Sequence, residues 1–276
     1  MASLAAPATG SGRTALARAV TGWMIVTALG QAMFLFYILG FYTPPMVRGT
    51  PSDWSRHKQL IDGYVAGDSA GNIMFGAHVL LAAVLTLGGV LQLWPALRQA
   101  RPALHRWNGR LFVVAALLTA GGGLWLVWVR GSQLGLASAS AITLNALLVI
   151  GFVLLAWRAA RRRDFAAHSA WAIRSFLVVS GVWFLRIGIM AFALIAVGGL
   201  GLPKAMMEDV FSIWSFGSYL VPLAVYEAYR RATAPGGAKG TMAALLAILT
   251  LVMATGIIGA TLMMWLPPLR SSGLFG

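Results

Sequence analysis

Two short stretches place polar chemistry where apolar helix is about to begin: HRWNGRLFVV at 105–114 and HSAWAIRSFLVV at 168–179. In the first, His105 is followed by Arg106, Trp107 and Arg110; in the second, His168 is followed by Trp171 and Arg174. Each Trp and its Arg are three residues apart, so on a helix they share a face and can stack as a cation over a ring. Each Arg can equally snorkel to an interface or hold a lipid phosphate. The imidazoles therefore admit two readings. Both motifs can be interface anchors, or two imidazoles from packed helices can ligate a metal or haem iron, with Arg106, Arg110 and Arg174 neutralising propionates.

Other ionisable residues also fall inside or beside apolar segments. His78 lies five residues into one, and a buried imidazole needs a partner. Arg186 lies 18 residues past His168, which is ~27 Å along a helix and so near the opposite face. A deep, unpaired Arg costs on the order of 3 kcal/mol on an insertion scale, so Arg186 is expected to pair. Glu208, Asp209 and His78 are its candidates, which predicts a polar cluster of His78, Arg186, Glu208 and Asp209. The opposite layer holds His105, Arg110, His168, Arg174 and Glu227. His57 is expected to be solvated in a loop. The chain has no HExxH pattern for zinc and no nucleophile elbow, and no catalytic residue is assigned.

These residues must be positioned by elements that use lipid as their solvent. Of the 276 residues 59% are hydrophobic and only 10% charged, with a mean hydropathy of +0.79. A soluble domain needs about 25% charged residues to cover its surface. The absence of cysteine excludes disulfides and thiolate metal sites. The net charge of +14 raises nucleic acid as a partner, but the basic residues sit in short connections between apolar runs, with no basic helix or aromatic platform. No nucleic-acid partner is expected.

A hydrocarbon core about 30 Å thick needs ~20 helical residues. Seven runs meet this: Thr21–Phe41, Ile73–Leu97, Leu111–Val129, Ala139–Trp157, Ala170–Val197, Val210–Tyr229 and Thr241–Leu266. The predicted fold is an all-α, polytopic seven-helix bundle over 21–266. A flexible tail is expected at 1–20, an outer loop at 42–72 and a C-terminal tail at 267–276. Pro102 suits a first helical turn and Asp164 an N-cap. Every second connection is basic: Arg13 and Arg18; Arg98, Arg101 and Arg106; Arg158 and Arg161 to Arg163; Arg230, Arg231 and Lys239. This pattern places the N-terminus in the cytoplasm and the C-terminus outside. The stretches LGG at 87–89, GGG at 121–123 and GIIGA at 256–260 suit close helix contacts. Trp54, Trp94, Trp128, Trp157, Trp214 and Trp265 fall near expected interfaces.

Three segments carry a resemblance: AHVLLAAVLTLGGVLQLWPALR, PALHRWNGRLFVV and RDFAAHSAWAIRSFLVVSGVWFLRIGI. They resemble a bacterial membrane family catalogued as domain of unknown function 2306. His78, Gln92, His105, Arg106, Gly109, Arg110, His168, Trp171, Arg174, Ser175 and Arg186 carry the pattern over about residues 74–190. LHRWNG is also similar to a stretch in which cytochrome b-561 proteins place a haem-ligating histidine. That similarity implies one b-type haem, with His105 and His168 as axial ligands. Span four has no histidine, so a second bis-histidine haem has no visible ligand pair.

The leading expectation is a haem-b membrane cytochrome of the bacterial inner membrane that transfers electrons. Its expected partners are membrane lipids, other subunits of a membrane complex, or a quinone. The competing readings are a non-enzymatic accessory subunit or lipid-binding scaffold, and a transporter of a small anion or protons.

Overall fold

The computed structural model describes residues 8–56, 62–132 and 135–271, and every regular element among them is helical. In chain order these are α1 (Ala8–Arg48), α2 (Ser69–Leu93), α3 (Pro95–Ala100), α4 (Pro102–Trp128), α5 (Gly135–Arg161), α6 (Phe165–Val179), α7 (Gly181–Phe192), α8 (Met206–Thr233), α9 (Lys239–Ala260) and α10 (Leu266–Ser271). A 3-10 turn, Pro51–Ser55, lies between α1 and α2, and π-helical turns extend α7 (Ala193–Gly199) and α9 (Thr261–Trp265). Helix starts follow local chemistry. Asp68 and Asp164 cap α2 and α6 by accepting from the N–H groups of Gly71 and Ala167, and Pro95 and Pro102 open α3 and α4 where a missing N–H costs nothing.

Among the described residues six helices are long and apolar enough to cross a membrane: Gly10–Arg48, Ser69–Leu93, Pro102–Trp128, Gly135–Arg161, Gly181–Gly199 and Lys239–Arg270. Helix α8, which contains the expected span Val210–Tyr229, is equally long but carries Ser212, Ser215, Ser218, Tyr219, Pro222 and Glu227. The expected span Ala170–Val197 is not one helix. It breaks at Ser180, whose hydroxyl accepts from the Gln31 side chain at 3.2 Å. The apolar run does not betray this joint because hydropathy continues through it.

The expected N-terminal tail is helical from Ala8, because its Ala-rich sequence favours helix and Leu16 is buried against Ala232, Met242 and Leu246. The residues just past 266 are likewise helical, with Leu269 buried. The loop expected at 42–72 is shorter, since α1 runs on to Arg48 and α2 starts at Ser69. Trp54 seats that loop: its ring packs on Tyr42 and Phe75 and its N–H donates to the Tyr42 carbonyl at 3.2 Å.

The helices pack in a closed circuit. α1 lies against α2, α2 against α4, α4 against α5, α5 against α6 and α8, α8 against α7, α7 against α9, and α9 back against α1. One apolar core joins α1, α2, α7, α9 and α10, and a second joins α2, α4, α5, α6 and α8. Outward-facing apolar side chains such as Ile73, Leu136, Ile213 and Leu251 are at least 70% exposed, an apolar exterior that a soluble fold would hide.

Close approach is bought at particular glycines. A Cβ on Gly256 would lie 2.1 Å from the Ile187 carbonyl oxygen, so α7 and α9 touch backbone to backbone there. Gly188 instead receives the ring of Trp214, whose N–H donates to the Phe184 carbonyl at 3.1 Å. Trp54 and Trp265 are buried, so these two and Trp214 are packing residues rather than interface anchors, whereas Trp94, Trp128 and Trp157 remain exposed.

Candidate functional site

At the end of the bundle where the basic connections gather, α5 turns into α6 through Arg162, Arg163 and Asp164. The reversal puts Arg163 in the left-handed region (φ 59°), a conformation non-glycine residues seldom adopt. His168 sits one turn past the Asp164 cap. Its Nδ1 is 3.0 Å from the Ala156 carbonyl in the last turns of α5. A carbonyl only accepts, so Nδ1 carries a proton, and in the neutral ring Nε2 keeps its lone pair.

His105 begins α4 in a comparable place. Gln92 of α2 donates to the His105 carbonyl at 2.9 Å, and Asn108 donates to the Gly88 carbonyl at 2.9 Å, which pins the first turns of α4 to the end of α2. The imidazole is half-buried, and its Nδ1 is buried without a hydrogen-bond partner. The charges of Arg98, His168 and Arg106 all reach it. Arg98, Arg106 and His168 thus lie within electrostatic reach of His105, while the extensive packing neighbour that α4 and α6 share is α5.

The other two expected arginines are engaged elsewhere. Arg110 lies 4.7 Å over the exposed Trp107 ring. Arg174 lies 4.6 Å over Trp171 and 5.5 Å over Tyr226, and its Nε donates to Glu227 at 2.8 Å. Glu227 also holds Arg230 at 3.3 Å. The three-residue spacing therefore does produce two stacked Trp–Arg pairs, and the second pair joins α6 to α8.

The expected cluster of His78, Arg186, Glu208 and Asp209 is not brought together. His78 is half-buried against α4 beside Gly122 and Gly123, and its buried Nδ1 has no hydrogen-bond partner. A Cβ on Gly123 would lie 3.2 Å from its ring, so part of the GGG stretch makes room for an imidazole. Arg186 points toward α1, 5.5 Å from the Phe34 ring. Glu208 and Asp209 are exposed in the first turn of α8, where carboxylates favour the helix dipole. His57 lies outside the described residues.

A network that spacing did not single out stands at the end of the bundle opposite the basic connections. Arg130, with its side chain 5% exposed, donates to Asp68 at 2.8 Å and to the Asn72 side chain at 2.8 Å. Asn72 also pairs with both backbone groups of Val65 at 2.8–2.9 Å. The Gly71 N–H, and then the Arg130 guanidinium, hold the Asp68 carboxyl below its ordinary value. The available signal was an acid one residue before a helix and a lone Arg just past the end of its packing neighbour.

The family model for predicted membrane protein (DUF2306) matches residues 75–228. The chain belongs to this family. The matched segment runs from α2 nearly to the end of α8 and contains His78, His105, His168, Arg174, Arg186 and Glu227, while α1, α9 and α10 lie outside it. No curated protein and no solved structure matches the chain significantly.

Proposed function

We propose that this membrane protein carries electrons through one b-type haem held between His105 and His168, at the cytoplasmic ends of α4 and α6. Its seven spans would include α8 and the α6–α7 pair, with the N-terminus inside a bacterial inner membrane. The observation that carries the reading is the state of the two imidazoles. His168 has Nδ1 turned to the Ala156 carbonyl, which fixes the ring and leaves Nε2 as a ligand, the usual outer-shell arrangement of a metal-bound histidine. His105 presents a buried ring nitrogen with no partner, and His168 lies within electrostatic reach of it.

The donor set suits this group. Two imidazoles, one fixed by its Nδ1 bond to a carbonyl and one with an unpartnered ring nitrogen, are a ligand pair that haem iron accepts. A bound haem would supply a one-electron carrier. Arg98 and Arg106 would offset propionate charge at the rim, and Gln92 and Asn108 would hold α4 in register.

Purified protein should show a Soret band that His105→Ala and His168→Ala each abolish or shift and His78→Leu preserves. A colourless protein that takes up no haem on reconstitution refutes the reading, as does a band unchanged in both variants. A second reading, an accessory subunit or lipid-binding scaffold, is favoured by Trp107 and Arg110, which stack on an exposed face of α4. Colourless protein that purifies with partner chains would put that reading first.

A further inference from the structure

A half-buried charge without a carboxylate partner lies away from the histidines. Arg186, in the middle of α7, donates Nη1 to the Val182 carbonyl of its own helix at 3.1 Å and otherwise faces the Phe34 ring. None of the 7 acidic side chains, all of them described, lies within ion-pair reach of it. By contrast, Arg130 and Arg174, the other cations tucked beside the spans, each hold a carboxylate. A lone guanidinium at membrane depth is costly, and such residues mark ligand sites by default.

Its surroundings supply further donors without acceptors. Phe34, the ring beneath Arg186, packs on Trp265 with centroids 5.5 Å apart and on Tyr37 at 6.3 Å, and Tyr37 and Trp265 stack at 6.3 Å. Tyr37 and Trp265 are each 1% exposed, yet the Tyr37 hydroxyl and the Trp265 indole N–H have no hydrogen-bond partner. The Tyr42 hydroxyl is close by without meeting Tyr37 in hydrogen-bond geometry. The Arg186 charge reaches both tyrosines. Each buried polar group without a partner calls for an explanation, and two of the seven such atoms among the described residues lie around this one unpaired cation.

We propose that α1, α7 and the α9–α10 segment form a binding site for a singly charged oxyanion, with Arg186 as its cation and Tyr37 and Trp265 as its neutral donors. Arginine and the indole donate only, so the complement must accept several hydrogen bonds. One guanidinium balances one negative charge, and a dianion would leave charge uncompensated at low dielectric. A carboxylate or a phosphodiester meets both conditions. Arg186 is only half-buried and forms the rim, and the aromatic floor suits an anion that brings an apolar tail. Two of the three participating elements lie outside the family segment, so this site is built by the flanking helices of this chain.

The test is thermal unfolding of the full chain in uncharged detergent, titrated separately with sodium acetate, oleate and phosphatidylglycerol. At least one should raise the midpoint, and which one does identifies the source: acetate a soluble carboxylate, oleate alone a lipid-borne carboxylate, phosphatidylglycerol alone a lipid phosphodiester. Arg186→Gln should abolish the response, and Tyr37→Phe should weaken apparent affinity by about tenfold. Arg231→Gln, an exposed charge at the other end, should leave it unchanged. Native mass spectrometry of unmodified protein offers an independent readout, in which an anionic lipid or fatty acid should remain bound. The proposal is overturned if none of the three anions stabilises the wild type, or if Arg186→Gln responds as the wild type does.

Discussion

Gly256→Ala is the most direct test of the packing that holds the two halves of the circuit together. The added Cβ would meet the Ile187 carbonyl oxygen at 2.1 Å and the carbonyl carbon at 2.8 Å. Both are backbone atoms, so no side-chain rotation relieves the clash. Ordinary contact begins near 3.4 Å, and α7 and α9 must separate by about 1.3 Å. A gap of 0.5–1 Å already forfeits roughly a quarter to a half of each dispersion contact, and the loss extends to Met253 and Ile257, which share this core with Trp183 and Ile187. Overpacking costs about 1–3 kcal/mol, and contact with rigid backbone puts this site at the top of that range. The gain in helix propensity returns about 1 kcal/mol. Gly151→Ala in α5 isolates that gain, because a Cβ there meets nothing within 4 Å. Thermal unfolding in a mild detergent should place Gly256→Ala below Gly151→Ala by about 5 °C or more. Equal midpoints would refute the claim that these backbones touch.

Other outcomes follow from the ends of the bundle. Since Asp68 has a lowered carboxyl pKa when folded, its cap and ion pair with Arg130 contribute fully above the ordinary carboxylate range and fade as pH falls through the folded value. Protection against hydrogen exchange at 62–72, corrected for the intrinsic pH dependence of exchange, should accordingly fall on acidification, and Asp68→Asn should show the lower protection already at neutral pH. Trp54→Phe should cost about 1 kcal/mol by losing its bond to the Tyr42 carbonyl, and Trp54→Ala about 3–5 kcal/mol; protease sensitivity of the α1–α2 connection reports both. Reporter fusions after Arg163 and Arg231 should read as cytoplasmic and those after Ser132 and Gly201 as exterior, and a C-terminal reporter on the cytoplasmic side would defeat the seven-span topology.

Hydropathy and breakers carried most of the helix pattern, because in lipid each span must satisfy its own backbone. Asp164 and Pro102 marked the starts of α6 and α4 for local reasons that need no tertiary structure. The joint at Ser180 was hidden, since hydropathy continues through it and the Gln31 side chain that meets its hydroxyl approaches from 149 residues away in sequence. Depth along a helix also placed Arg174 and Glu227 in one layer, where they do pair. Depth failed for Arg186, Glu208 and Asp209, because it fixes a position along the axis and not the face presented. The acids turn outward while Arg186 turns toward α1, a helix whose partners its own residues could not name.

The circuit of helices closes between its first and last long members, and this bears on how the protein is made. α1 leaves the ribosome first and α9 last among the long helices, yet each is the other's most extensive neighbour. Until α9 arrives, the face of α1 around Gly30 and Phe34 that later meets Ile257 and Trp265 has only lipid or a chaperone to cover it. α2 can dock on α1 early and hold it in place, but Arg186 on α7 reaches the same face before α9 does. Biogenesis must therefore keep a seat open on α1 while the helices between it and α9 insert, and α9 acts as the latch that closes the circuit.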